Sequence, residues 1–196
     1  MEELPPYSAV VLAGGRAARL GGQAKPQLEV GGRTMLHAVL DAVADADRRI
    51  VVGPPQPTPP DVVVVREEPP GGGPVAALRA GLREVDTDVV AVLAGDLPFL
   101  TADVIGDLRR ESSADGILVV DDTGRDQLLL GVWRTERLRT AVADPDAPAA
   151  LHRALRGLDI TRHRPSLVPG TPAPWVDCDT PEELARARQV AGHRPG

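Results

Sequence analysis

Short apolar runs alternate along the chain with stretches in which apolar residues recur every three or four positions. That alternation predicts an α/β fold with a mostly parallel central sheet, because buried parallel strands read as continuous apolar runs and their crossovers as amphipathic helices. Ala9 to Ala13 predicts the first strand, and Thr34 is placed to cap a helix with Met35, Leu36, Val39, Leu40 and Val43 on one face. Strands are predicted at Ile50 to Val52 and Val62 to Val65, separated by a Pro-rich surface loop from Gly53 to Pro60. Pro74 suits the first turn of a helix carrying Val75, Leu78, Leu82 and Val85, and Val89 to Ala94 reads as a central strand. A helix is then expected from Thr101, followed by an antiparallel pair, Gly116 to Val120 and Gln127 to Trp133, across a polar turn at Asp121 to Arg125. Helices near Thr135 to Val142 and Pro148 to Leu155 precede a Pro-rich segment without clear periodicity that leads to Trp175. Thr180-Pro181-Glu182-Glu183 joins a capping Thr, a Pro at the first helical position and a Glu three residues after the cap, so a final helix starts there. The expected organisation is one domain over residues 1–192 and a frayed tail over 193–196.

Composition narrows the partners. The 196 residues are 42% hydrophobic, enough for a sizeable core, and a net charge of -6 argues against nucleic acid or an anionic membrane, both of which reward clustered positive charge. No apolar run approaches membrane-spanning length, and Met-Glu-Glu-Leu-Pro-Pro has neither the basic start nor the apolar stretch of a signal peptide, so a cytoplasmic location is expected. A single cysteine, Cys178, excludes an internal disulfide and is expected on the core side of a strand. His37, His152, His163 and His193 show no ligand spacing. Asp121 and Asp122 are expected to be solvated turn residues, and Trp133 and Trp175 packing residues, with Trp175 near enough to Asp177 to line a pocket.

Of the 22 basic residues only Lys25 is a lysine, and it closes the Gly-rich segment that begins at Leu12. A lysine kept amid so much arginine points to a place for a compact ammonium rather than a broad guanidinium fork. The glycines let backbone N–H groups approach phosphate oxygens, and Arg16, Arg19 and Lys25 can neutralise a triphosphate. The spacing fits neither a Walker A loop nor the G-x-G-x-x-G of a dinucleotide fold. Asp96 follows the carboxyl end of an apolar strand, where open α/β sheets hold ligands, and a hard carboxylate suits Mg2+ on a triphosphate; read alone, it serves equally as a turn residue before Pro98. Asp177 and Asp179, two apart, face the same side of an extended segment and could share that metal, although a carboxylate before a helix is also stabilised by the helix dipole.

Leu-Ala-Gly-Gly, then Arg-Leu-Gly-Gly, two residues and Lys25 resembles the signature loop of the MobA-like nucleotidyltransferases. Three further segments follow in that family's order, Gly72 to Leu78, Ala94 to Pro98 and Asp177 to Leu184, so the resemblance spans almost the whole chain. It implies a Rossmann-like three-layer sandwich of the nucleotide-diphospho-sugar transferase type, and Mg2+-dependent transfer of a nucleoside monophosphate with release of pyrophosphate. Carried over by position, it implies that Leu12, Ala13, Gly14 and Gly15 contact the nucleotide, that Lys25 and Arg19 meet phosphates, that Glu68 contacts nucleotide, and that Asp96 with Asp179 or Asp177 holds the metal. The loop start implies GTP, with a molybdopterin-type phosphorylated acceptor and contact with a molybdoenzyme or cofactor-delivery protein. Ala24 stands where the family carries an acidic residue, and Pro26 departs from it too, which keeps CTP and other phosphorylated acceptors in view. From a different class, a non-catalytic nucleotide-binding adaptor would keep the fold and lack turnover.

Overall fold

A computed structural model describes residues 4–14, 19–111, 114–144 and 150–192. Seven strands form one sheet: β1 (Tyr7–Leu12), β2 (Arg48–Val52), β3 (Val63–Val65), β4 (Val89–Ala94), β5 (Gly116–Val120), β6 (Asp126–Arg134) and β7 (Ile160–His163). Their spatial order is β7-β5-β6-β4-β1-β2-β3. β1 pairs in parallel with β2 and β4, β2 with β3 and β5 with β7, while β6 runs antiparallel to both its neighbours. The predicted mostly parallel sheet and the antiparallel pair are both present.

Side chains of successive strand residues point to opposite faces, and the two cores follow that period. Ala9 and Val11 of β1, Ala91 and Leu93 of β4, and Ile117 and Val119 of β5 belong to one core. It is covered by helices α1 (Met35–Ala42) and α3 (Ala102–Glu111) through Leu36, Val39, Ile105 and Leu108. Val10, Val90, Val92 and Leu118 belong to the other, covered by α2 (Gly73–Leu82), α4 (Thr135–Ala141) and the short α5 (Leu151–Ala154). The result is the expected Rossmann-like three-layer α/β sandwich. Thr34 caps α1 by accepting the His37 N–H at 3.1 Å.

A third, smaller core brings the last helix, α6 (Pro181–Gly192), against a hairpin of Glu29–Val30 with Arg33–Thr34. Leu28, Met35, Phe99, Cys178 and Leu184 fill it. Cys178 is buried there, in an extended loop rather than the strand expected for it. Burial pushes its thiol up to about 11, so it stays protonated and inert. Two outcomes differ from the sequence reading in extent. The Pro-rich segment before Trp175 contains the edge strand β7, and α5 begins only at Leu151, with Pro148 outside the described residues. Among the described residues no helix is long and apolar enough to cross a membrane.

Strand order reverses between β1 and β4, since successive strands lie to one side of β1 before β4 and to the other after it. Such a reversal opens a crevice beyond the carboxyl ends of the two strands, where neighbouring loops diverge. The loops after Leu12 and Ala94 start there.

Candidate active site

Leu12 and Gly14 at the end of β1, Gly95 and Asp96 at the end of β4, and the start of α2 surround a cavity of about 410 Å³ in that crevice. The Gly95 N–H donates to the Leu12 carbonyl at 2.9 Å and the Ala13 N–H to the Val52 carbonyl at 2.8 Å, tying the loops together. Ala13 is buried behind the wall, whereas Leu12 and Gly14 line it. Gly15 and Arg16 lie outside the described residues, as does the side chain of Arg19. The backbone of Arg19 and Leu20 pairs with Gln23 and Ala24 in a tight hairpin. Its two-residue turn is Gly21 and Gly22, with φ of 58° and 85°, left-handed values that glycine takes without steric cost. The hairpin delivers the chain into a buried turn at Lys25 and Pro26, both of which line the cavity.

Lys25 is the centre of the site. Its side chain is only 6% exposed, and its Nζ lies 2.7 Å from Asp96 Oδ2 while also bonding Asp179 Oδ1. Burial draws the Lys25 pKa down, but the bonds to Asp179 and Asp96 outweigh it and hold the ammonium above its ordinary range. An ammonium offers three donors, and among the described residues two of them go to these carboxylates. Asp179 is held from behind by the cap of α6. Glu183 Oε2 accepts the N–H groups of Asp179 at 2.8 Å and Thr180 at 2.9 Å, and Thr180 Oγ1 accepts the Glu183 N–H at 3.2 Å. This reciprocal box is the one the Thr-Pro-Glu-Glu run predicts.

The carboxylate next to the glycines is Glu67. Glu68 is exposed, whereas Glu67 is buried, lines the cavity and accepts the Gly71 N–H at 3.0 Å. The family resemblance points to Glu68, one residue beyond the carboxylate that faces the cavity, and nothing local in the sequence marks Glu67.

A second cavity, of about 440 Å³, lies across Asp96 from the first. Pro74, Ala94, Asp96 and Leu129 belong to both walls. Asp177, His152, Gln127 and Trp175 line only the second of these two. Asp177 keeps an exposed surface, yet the atoms packed around it, then the charges of Asp179 and Asp96, push its carboxyl above the ordinary range. The period-two alternation of Asp177, Cys178 and Asp179 holds: the cysteine turns into the core and both carboxylates turn away. Register between β5 and β6 slips between Gln127 and Gly131, and the bulged residues Leu128, Leu129 and Leu130 form the leucine wall.

Glu67, Asp96 and Asp179 outnumber Lys25, the one cation among the described residues of the first cavity wall. Carboxylates gathered this way offer hard oxygen ligands of the kind a divalent cation takes. Hard carboxylate oxygens that meet at one ammonium suit Mg2+, which takes one or two protein carboxylates and completes its shell with phosphate oxygens and water. Among the described residues no three His, Cys, Asp or Glu side chains are grouped so as to hold a metal ion by themselves.

Residues 9–168 match the MobA-like NTP transferase domain. A molybdenum cofactor guanylyltransferase from Rhodopseudomonas palustris (strain BisB5) is 30% identical, over 97% of this chain and 97% of its own. Molybdopterin-guanine dinucleotide biosynthesis protein A from Archaeoglobus fulgidus superposes with a TM-score of 0.73 at 17% identity, covering 95% of this chain and 100% of that one. The 2-C-methyl-D-erythritol 4-phosphate cytidylyltransferase from Thermus thermophilus shares the fold at a TM-score of 0.66 and 22% identity, over 95% and 99% of the two chains. The domain match and the full-length relative agree with the loops and carboxylates gathered around Lys25: the chain belongs to the MobA-like NTP transferase family and is a nucleotidyltransferase.

Proposed function

We propose that the chain transfers GMP from GTP to the phosphate of a molybdopterin-type acceptor in the cytoplasm, releasing pyrophosphate. The observation that carries this reading is the pair of similar cavities meeting at Asp96, one beside the glycine loops and the other walled by Trp175 and leucines. A nucleotide in the first and an acceptor in the second would bring their phosphates together beside Lys25. The start of the loop, Leu12-Ala13-Gly14-Gly15, and the activity named for the relative from Rhodopseudomonas palustris support guanine and the acceptor class.

An acceptor phosphate is already anionic at neutral pH. Its oxygen forms a bond to the α-phosphorus, the bond from that phosphorus to the bridging oxygen breaks, and pyrophosphate leaves with the electron pair. No side chain has to take a proton. Lys25 presents its third donor to the phosphates, and its fixed charge stabilises the transition state without rearrangement. Without a Cβ, Gly14 packs closely against Gly53 and Pro54, which a Cβ would meet at 3.1 and 3.3 Å, and this sets the course of the loop past the end of β1. Mg2+, held by Asp96 with Asp179 or Asp177, would supply charge neutralisation on the triphosphate and its leaving group.

Pyrophosphate release with GTP, CTP, ATP and UTP, each with molybdopterin and Mg2+ or EDTA, tests the assignment. GTP with Mg2+ is the productive pair. Lys25→Met and Asp96→Asn each lower turnover by about a hundred- to a thousandfold, the usual loss for one fixed transition-state charge or donor, while circular dichroism shows the fold retained. Near-normal release by either variant overturns the role given to that residue, and a preference for CTP overturns the donor.

A further inference from the structure

The turn between β5 and β6 holds a carboxylate that does more than close a hairpin. Asp121 is buried, and its Oδ1 accepts the Thr123 N–H at 2.9 Å, the Thr123 hydroxyl at 2.7 Å and the Arg125 N–H at 2.9 Å. Its Oδ2 accepts Gln127 Nε2 at 2.8 Å. The Thr123 hydroxyl and the Arg125 N–H lead the donors that hold its carboxyl down at about 2 against the opposing effect of burial. Asp121 is therefore ionised at every working pH and can only accept.

That fixes the neighbouring amide. Facing an acceptor-only group, Gln127 turns its NH2 end to Asp121 and its Oε1 end away. Gln127 lines the second cavity with Trp175, and no donor among the described residues is bonded to its Oε1. Trp175 and the leucines of the bulge give the cavity an apolar side that suits a flat ring, while Asp96, Asp177 and His152 line the rest of it.

We propose that Gln127 is a specificity residue that reads an N–H donor on a flat, phosphate-bearing heterocycle, with Asp121 as the positioning residue that fixes its amide. This rests on the reading that the second cavity takes the acceptor. Asp121→Asn provides a sharp test. Its Oδ1 keeps the three donors of the turn, but its Nδ2 faces Gln127, which must then turn Oε1 toward it and present Nε2 to the cavity.

Two flat phosphomonoesters serve as probes in calorimetric titrations: 6-hydroxymethylpterin phosphate, whose ring bears N–H donors, and 1-naphthylmethyl phosphate, whose ring bears none. Wild type binds the first about tenfold or more tightly than the second, the scale of one well-made hydrogen bond. Gln127→Met and Asp121→Asn each bring the two within about threefold, and GTP affinity is unchanged in both. A merely structural Asp121 would not move this ratio. Retention of the wild-type preference in either variant, or its absence in wild type, overturns the inference. Pyrophosphate release from GTP and molybdopterin by wild type, run in parallel, separates the two levels. If release proceeds while the preference persists in the variants, the Gln127 assignment alone fails. If there is no release and neither probe binds, the acceptor reading fails and takes this inference with it.

Discussion

A lone lysine can be watched atom by atom. Selective labelling of lysine with carbon-13 gives signals from one side chain only, that of Lys25. In metal-free buffer its titration should lie above the ordinary 10.5, because the bonds to Asp179 and Asp96 outweigh burial. A lysine pKa raised by folding stabilises the native state fully below the unfolded value, and that contribution is lost as pH rises through the folded one. Asp179→Asn removes one of the two charges that oppose desolvation, so the Lys25 transition should move to lower pH; an unmoved transition would show that the pair is not formed in solution. Lys25 was legible in the sequence because composition isolated it and glycines surrounded it. Asp96 stood out by its place after a strand, but that place suits a turn residue equally, and the family resemblance decided between the two. Asp179 was expected beside Asp96 as a shared metal ligand, but its direct bond to Lys25 was not, since nothing local records a bond across 154 residues. Asp121 was read rightly as a turn residue and wrongly as a solvated one, because four converging donors are visible only once the hairpin has closed.

Among the elements, β5 shows how tightly the layers fit. A Cβ added at Gly116 would lie 2.1 Å from Cε3 of the buried Trp133 on the paired strand. Gly116→Ala should therefore cost about 1–3 kcal/mol, the usual penalty for overpacking, read as a lower denaturant midpoint with an unchanged slope. A midpoint equal to wild type would mean that Trp133 shifts freely. Elements with strong periodicity, such as β4 and α1, were plain in the sequence. The edge strand β7 was not, because Ile-Thr-Arg-His is polar and is followed by prolines, and its strand character comes from pairing with β5. The bulge in β6 was equally hidden: Leu128 to Leu130 read as ordinary strand, and only the register against β5 exposes the slip that carries them into the cavity walls.

At the scale of the whole molecule, the sheet's reversal of order assembles a site from loops distant in sequence, and this was the level at which family resemblance added most to the pattern of single residues. The partition between the cavities has a kinetic consequence. Pro74, Ala94, Asp96 and Leu129 belong to both cavity walls, so on the proposed assignment two separate ligands would each be held by one set of walls. After transfer, the same walls grip a single molecule at both ends. Two contacts that were additive for separate ligands become cooperative for a joined one, because release of either end leaves the other tethered nearby. Escape of the dinucleotide should then be slower than the bond exchange that made it. Mixing enzyme with both substrates on the millisecond scale should give a burst of pyrophosphate equal to the enzyme concentration, followed by a slow linear phase; a progress curve linear from the start would mean that the joined product departs as readily as it forms.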